Sequence, residues 1–381
     1  MWAEIDLDAI SANTAALKAR VGSAELMAMV KANAYGHGAI VVSEAVLAAG
    51  ASRLGVAALD EARQLRKAGI EAPILVVGNV APESARSAVE LDITLTVNSM
   101  QLGLALSVAA GAVGRRNRVH VKVDTGLNRY GLAHEEVVDL ATALRDLPGL
   151  EVEGIYTHFA SADEGDKSFT LRQVERFVAA TEALDWIPLR HCSNSAALID
   201  LPEHSFNLVR PGISIYGLYP SPEVGRSVAL TPAMTLKARV VRVHSMAAGD
   251  TTSYGRHWTA GGGEEVALVP CGYGDGYPRR LSNRFHVLTG AGLCPIRGTI
   301  AMDQMIVDIT GTGIKEGDEV TVFGGAEGSG VSAAEVAERA STISYEITTS
   351  LSARVPRVFL RSGKASAVQG LNDPLPIPVK S

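Results

Sequence analysis

The sequence predicts an α/β protein in which an N-terminal (β/α)8 TIM-type barrel precedes a C-terminal, mostly β domain. Three observations carry that prediction. Short apolar or β-branched runs alternate with Ala-, Leu- and Glu-rich helical patterns through the first part of the chain. The texture changes after Pro232 to strand-like runs separated by Gly-rich turns. At 381 residues the chain exceeds one ordinary domain and suggests two.

The first part offers eight strand candidates: Leu26–Lys31, Arg53–Ala57, Ile74–Val77, Ile93–Val97, Val119–Val123, Val152–His158, Leu189–Cys192 and Asn207–Arg210. Helical patterns such as Leu59–Ala68, His134–Arg145 and Ser168–Leu184 lie between them. Strands alternating with helices pair in parallel through crossovers, and eight such units close into a barrel. The open alternative, a doubly wound sheet, lacks the G-x-G-x-x-G turn of a dinucleotide fold. Asn98–Gly114 carries little charge but is too short and too polar for a bilayer span, so it reads as a packed helix.

In the second part, Thr235–Ser245, Glu265–Pro270, Phe285–Thr289, Met305–Ile309 and Glu319–Phe323 read as strands, with helix only at Ser332–Ala340 and near Tyr345. The expected division is residues 1–234 for the barrel and 235–381 for the β domain, with the first few residues pairing with the second domain. The Pro-rich tail from Asp373 reads as extended.

Composition excludes several classes. Apolar residues make up 47% and charged residues 20%, which suits a large core rather than disorder. A net charge of −6 and no basic run argue against nucleic acid. Three scattered cysteines fit a reducing cytoplasm and neither a disulfide framework nor a metal knot, and the N-terminus carries no signal pattern. No membrane partner and no metal are expected.

In this barrel class, reactive groups gather at the C-terminal ends of the strands. Lys31 ends the first strand among small residues; there, desolvation and nearby cations would favour its free, nucleophilic amine. Lys122 and Asp124 close the fifth strand and His158 the sixth; His191 to Ser195 follow the seventh and Arg210 to Ile213 the eighth. The loops after strands seven and eight commonly bind phosphate in this fold. Asn194, Ser195, Gly212 and Ile213 suit that role, because Gly allows close backbone approach and hydroxyl and amide N–H groups bind a dianion. A phosphate-bearing ligand near an amine is the expectation, and pyridoxal 5'-phosphate (PLP) fits both features, because its aldehyde needs a lysine.

Eight segments, in order across both domains, resemble those of the alanine racemase family: Val30-Lys-Ala-Asn-Ala-Tyr-Gly-His-Gly38, Val123-Asp-Thr-Gly126 with Arg129, Thr157-His-Phe159, Ser193-Asn-Ser195, Arg210-Pro-Gly-Ile213, Ser253-Tyr-Gly-Arg256, Gly272-Tyr-Gly-Asp-Gly-Tyr-Pro278 and Ala301-Met-Asp-Gln304. The resemblance spans nearly the whole chain. It implies that Lys31 links covalently to PLP and that Tyr35, Asn194, Ser195, Gly212, Ile213 and Tyr345 hold its phosphate. It places Arg210 against the pyridine nitrogen and His158 beside the cofactor. Lys31 and Tyr254 become the two catalytic bases on opposite faces of the substrate, Tyr254 coming from the partner subunit of a homodimer. Arg129 and the backbone at Met302 would bind the substrate carboxylate, Tyr273 would narrow the entrance, and Lys122 resembles a lysine that some members carbamylate. The implied activity is interconversion of L- and D-alanine, supplying D-alanine for peptidoglycan.

Three positions depart from the family pattern: Ala301 where cysteine is frequent, Thr299 where arginine is frequent, and Ser344 where proline is frequent. Thr299 and Ser344 would lie near the substrate entrance and bear on substrate breadth. A broader-specificity or serine racemase of the same fold is the neighbouring alternative. A PLP decarboxylase would need a carboxylate where Arg210 stands. A non-enzymatic PLP-binding protein would lack Tyr254 and the β domain.

Overall fold

A computed structural model describes residues 1–373 and 375–379 of the chain. It divides into two compact units. One comprises residues 10–34 and 39–230; the other comprises 1–9, 35–38 and 231–381. Each is described by itself.

The first strand, β1 (Trp2–Asp6), belongs to the strand-rich unit. The other unit is the barrel. Its strands are β2 (Glu25–Met29), β3 (Arg53–Val56), β4 (Ile74–Val76), β5 (Thr94–Thr96), β6 (Asn117–Lys122), β7 (Leu150–Tyr156), β8 (Leu189–His191) and β9 (Leu208–Val209). All neighbours are parallel, in the order β8-β7-β6-β5-β4-β3-β2-β9. The remaining gap between β8 and β9 is bridged just past their ends, where Arg210 N donates to Ser193 O at 2.9 Å. The expected eight-stranded barrel is therefore present and nearly closed. Its strands are buried on both sides, as parallel strands under crossover helices must be.

The crossover helix Ala39–Ala48 is buried nearly all round, while later ones bury one stripe. Val137–Arg145 buries Val137, Leu140, Ala141 and Leu144, and Ser168–Ala180 buries Thr170, Gln173, Val174, Phe177 and Ala180. The stretch read as a packed helix forms Met100–Val113. Ser99 caps its start by accepting from Leu102 N, and Gly114 ends it in the left-handed conformation at φ 72°. No helix among the described residues is long and apolar enough to cross a membrane.

The strand-rich unit contains β10 (Met234–Arg239), β11 (Arg242–Ser245), β12 (Glu265–Val269), β13 (His286–Thr289), β14 (Gly292–Arg297), β15 (Met305–Asp308), β16 (Glu319–Phe323), β17 (Arg357–Arg361), β18 (Lys364–Gln369) and β19 (Ile377–Pro378). With β1 they form an eleven-stranded sheet, in the order β11-β12-β15-β14-β13-β16-β10-β1-β17-β18-β19. β1 lies antiparallel to β10, with Trp2 opposite Lys237, and parallel to β17, with Ala3 opposite Arg357. Its alternation places Ala3 and Ile5 in the core and turns Trp2, Glu4 and Asp6 outward.

The run Thr235–Ser245, read as one strand, is two. Val240 N donates to Asp318 O while Val241 N donates to Leu268 O, so consecutive residues join different neighbours and the strand breaks between them. The sequence reading also passed over β14, which carries Pro295, and the β17–β18 hairpin. The extended tail appears as edge strand β19, paired with β18; Pro374, Lys380 and Ser381 lie outside the described residues.

Gly36 takes φ +88°, and a Cβ there would fall 2.0 Å from Thr348 O, a backbone atom of the same unit. Gly69 takes a similar φ of +85° with nothing within 4 Å of the added atom. Gly69→Ala should therefore cost only conformational strain, about 1 kcal/mol. Gly36→Ala adds a backbone collision and should cost at least about 2 kcal/mol more in urea denaturation. Equal losses would show that the collision relaxes freely.

Candidate active site

The strand β2 ends at Met29, and Lys31 opens a turn wound the wrong way for L-residues. Ala32, Asn33, Ala34 and Tyr35 all have φ between 51° and 53°. Four non-glycine residues in this region cost about 1–2 kcal/mol each, which local hydrogen bonds must offset. Ala34 N donates to Val30 O at 2.8 Å. Ala32 N donates to Glu61 Oε1 at 2.6 Å, and Asn33 Oδ1 accepts from Ala39 N at 2.9 Å. Glu61 also accepts from Ala57 N and Ala58 N, at 2.7 and 3.1 Å, at the start of the helix Leu59–Lys67. One carboxylate thus caps both a helix and the left-handed turn. The small residues after Lys31 are what make the turn sterically possible.

Lys31 is half-buried at the C-terminal end of the barrel. Burial lowers its ammonium from the usual value, Arg129 and Arg210 add to the drop, and Glu61 opposes it. The amine is therefore more readily free than an exposed lysine's. Lys122 ends β6 and is pushed down to about 8 by burial, then by Arg210 and Arg129. Its Nζ lies 5.4 Å from the Tyr130 ring centre and 5.7 Å from that of Tyr156. Asp124 accepts backbone N–H bonds from Gly126, Asn128 and Arg129 at 2.9, 3.0 and 3.2 Å. That carboxylate nest shapes the loop presenting Arg129.

Arg210 follows β9 and is only 4% exposed. Its Nη1 donates to His191 Nδ1 at 2.7 Å. Its Nη2 donates to Thr157 O at 2.8 Å, Cys192 O at 3.1 Å and His158 Nδ1 at 3.2 Å. Every acceptor is neutral. Nε has no acceptor among the described residues, so its N–H remains for a ligand. Burial and then the Arg210 charge hold His158 and His191 well below the usual histidine range.

The loops after β8 and β9 are tied together. Ser195 Oγ accepts from Gly212 N at 2.9 Å and from Ser214 N at 3.4 Å, while Asn194 Oδ1 accepts from Ala197 N at 3.0 Å. The backbone N–H groups of Ser195 and Ile213 find no acceptor among the described residues. These donors, with Gly212 between them in sequence, match an anion better than a cation. The residues therefore fit PLP: an amine of lowered basicity, a free guanidinium N–H and a donor-rich loop pair.

The barrel thus brings together Lys31, Lys122, Arg129, His158, Asn194, Ser195, Arg210, Gly212 and Ile213. The strand-rich unit gathers the others. Tyr35 and Tyr345 face each other with ring centres 6.1 Å apart. Tyr273 N donates to Ala301 O at 3.1 Å and Gly274 N to Met302 O at 2.8 Å. A Cβ on Gly272 would meet Ala301 O at 2.2 Å, so only glycine lets the two loops approach. Arg354 braces them, donating to Asp275 at 2.7 Å and Asp303 at 2.6 Å. Thr299 Oγ1 donates to Tyr254 O at 2.7 Å, giving this departure from the usual arginine a role in holding the Tyr254 turn. Tyr254, Met302 and Tyr273 are 72, 52 and 42% exposed.

Sequence reasoning gave no role to Glu61, Tyr156, His120 or Glu153. A signal existed for some of them: His120 stands two residues before Lys122, and so on the same side of β6. Asn33→Ala should destabilise the chain by about 1–2 kcal/mol in urea, since it removes an αL-tolerant residue and a cap at once. Asn33→Gly should lose less, because glycine keeps the conformation; an equal loss would assign the effect to the side-chain bond alone.

Known proteins resemble this chain closely. Residues 5–220 match the family model "Alanine racemase, N-terminal domain", and residues 233–359 match "Alanine racemase, C-terminal domain". An alanine racemase of Desulforamulus reducens is 46% identical over 368 residues, covering 94% of this chain and 99% of that protein. The solved alanine racemase of Clostridium difficile 630 superposes with a TM-score of 0.94 at 36% identity, covering 97% of this chain and 98% of that one. That of Bacillus anthracis, solved with bound L-Ala-P, gives 0.91 at 38% identity, covering 97% of each chain.

Proposed function

The chain belongs to the alanine racemase family of isomerases, and on that premise we propose that it interconverts L- and D-alanine on PLP by a two-base mechanism. The observation that carries this reading is the amine of Lys31, its basicity lowered by burial and two arginines, at the C-terminal end of a barrel whose phosphate-type loops lie next to Arg210. When bound, PLP supplies an electron sink that acidifies the substrate α-hydrogen.

The chain's own residues account for the rest. Lys31 would anchor the cofactor, and its free amine would remove or return the α-proton on one face of the substrate. Ser195, Ile213, Asn194 and Gly212 would hold the phosphate, and the family resemblance adds the Tyr35 and Tyr345 phenols. Arg210, with its Nε–H unused by the protein, would face the pyridine nitrogen. A guanidinium does not surrender its proton at physiological pH, so at that place it would disfavour protonation of the ring and weaken the electron sink. His158 packs beside the cofactor as a neutral imidazole. Arg129 and the Met302 backbone take the substrate carboxylate, and Tyr273 limits side-chain room.

Tyr254 is the second base, contributed by the other copy of a homodimer. Its 72% exposure in the isolated chain supports that role, since an aromatic side chain held out on a short turn suits insertion elsewhere. Lys122, with an amine near pKa 8, is a candidate for carbamylation: the Nζ lone pair attacks the carbon of CO2, a proton leaves, and a cation becomes an anion facing Arg129. The cellular setting that follows is the cytoplasm, with D-alanine passing to peptidoglycan synthesis.

Deuterium wash-in at the α-carbon of L- and D-alanine, run beside a panel of other amino acids, tests the reading; alanine should exchange and interconvert fastest. Preference for serine would move the assignment to the neighbouring racemase, and binding of PLP without exchange would leave a carrier. Lys31→Ala should lose both the visible absorbance of the lysine-linked cofactor and all turnover. Tyr254→Phe should suppress exchange from L-alanine by at least about a hundredfold while PLP stays bound; full exchange would remove Tyr254 from the mechanism. Carbamylation requires the neutral amine. Activity in CO2-depleted buffer should therefore fall and recover with bicarbonate, recovery being greatest above about pH 8, where Lys122 is unprotonated. Indifference to bicarbonate would leave Lys122 an ordinary amine.

A further inference from the structure

Behind Arg210 a file of polar groups crosses the barrel interior, where apolar layers are the rule. It begins at the C-terminal ends of the strands with Arg210 and with His191, the last residue of β8. His191 Nε2 lies 2.8 Å from His120 Nδ1, in β6. His120 Nε2 lies 3.2 Å from Glu153 Oε2, in β7. Glu153 Oε1 accepts from Arg53 Nη1 at 2.9 Å, and Arg53 Nε donates to Glu25 Oε2 at 3.0 Å. Arg53 and Glu25 are the first residues of β3 and β2, so the file ends at the opposite mouth of the barrel. His120 and His191 are fully buried, and Glu153 is 8% exposed.

The file has one possible polarity. A guanidinium only donates, so His191 Nδ1 must accept and its Nε2 must carry the hydrogen. That N–H donates to His120 Nδ1, which leaves His120 with its hydrogen on Nε2, directed at Glu153. An ionised carboxylate only accepts, so the order closes. A proton added to either imidazole would set N–H against N–H. Burial already holds both rings below the ordinary histidine range. Burial alone would raise the Glu153 carboxyl, but the hydrogen bond from His120 and the charge of Arg53 outweigh it and hold it below the usual carboxylate range.

The backbone is shaped for this arrangement. Val119 pairs with Val152 and His120 with Gly154, so Glu153 is the extra residue of a β-bulge. Bulges re-aim side chains. Gly154 has no left-handed φ to demand glycine, yet a Cβ there would sit 2.4 Å from both Nδ1 and Cε1 of His120. The glycine clears space for the ring. Tyr156, two residues on, stacks on His191 with ring centres 4.7 Å apart and an interplanar angle of 7°.

We propose that Glu153 is a positioning residue for Arg210: it locks His120 and His191 as neutral Nε2–H tautomers, so that His191 always presents a lone pair to the guanidinium. The carboxylate also balances, through two imidazoles, a buried cation whose own contacts are all neutral. Without the carboxylate, nothing at the far end of the file opposes the reversed order, in which His191 turns an N–H toward Arg210 and the guanidinium must shift to avoid it. The kinetic consequence rests on the racemase reading above; the tautomers do not.

The test uses the holoenzyme with ring-15N histidine, and long-range 1H–15N spectra in which the signals of His120 and His191, among nine histidines, are assigned by single substitutions. Both should be Nε2–H in the unsubstituted protein. Glu153→Gln, whose amide can donate as well as accept, should admit the other tautomer at both rings and lower kcat about tenfold with KM little changed. Glu153→Asp should restore the spectra and part of kcat. Finding His191 as Nδ1–H or charged in the unsubstituted protein overturns the proposal, and does so even if the variants fail to fold. So does a folded Glu153→Gln protein with unchanged tautomers and unchanged kcat. Expected tautomers in a protein that does not racemise alanine would sink the racemase reading alone and leave the file as described.

Discussion

A guanidinium buried among neutral acceptors is the constraint on which the barrel is organised. Removing one member of a buried charged network commonly costs about 3–5 kcal/mol, because the remaining charge is left without compensation. Arg210 has no carboxylate at contact distance among the described residues. Its charge is met instead by two backbone carbonyls, two imidazole nitrogens and, at the far end of the file, Glu153. Each of these requires something of the fold. The carbonyls of Thr157 and Cys192 must point inward just past β7 and β8. His191 must be neutral, so it must be buried. Gly154 must be a glycine to seat His120.

The same cation shapes the chemistry around it. It lowers the basicity of Lys31, Lys122 and His158 together with burial. Arg210 and Arg129, beside a neutral histidine, make that end of the barrel electropositive. That suits a phosphate and a substrate carboxylate, and it favours the free amine at Lys31. Anion binding and amine activation therefore have one electrostatic origin.

Strain is concentrated in the same region. The left-handed turn after β2 and the bulge in β7 both break regular backbone at the residues that matter, and both are held by partners distant in sequence. Glu61 reaches the turn from the next helix, and Asn33 reaches Ala39. In the strand-rich unit, Gly272 and Arg354 perform the corresponding task for the loops carrying Tyr273 and Met302. Regular structure supplies the frame, and a few irregular residues set the aim of the functional groups.

The alternation of eight apolar runs with helical patterns was enough to establish the barrel, because parallel strands need crossovers and crossovers need amphipathic helices. Motif spacing likewise marked the strand ends where Lys31, Lys122, His158, Asn194, Ser195, Arg210, Gly212 and Ile213 fall. Local pattern could not divide Thr235–Ser245, since Val240 and Val241 are equally strand-like and differ only in which neighbour accepts their N–H groups. Nor could it show that Ala32 to Tyr35 wind left-handed, since alanine ordinarily favours the right-handed helix and only the bonds to Glu61 and Ala39 reverse that preference. The file from Arg210 to Glu25 was also invisible. Its members lie on five strands and the segment after a sixth, far apart in sequence. An imidazole's tautomer depends on which donor and acceptor closure of the barrel sets against its two nitrogens. Composition and periodicity thus determined the fold and the stations of its chemistry; tertiary packing alone decided protonation, polarity and aim.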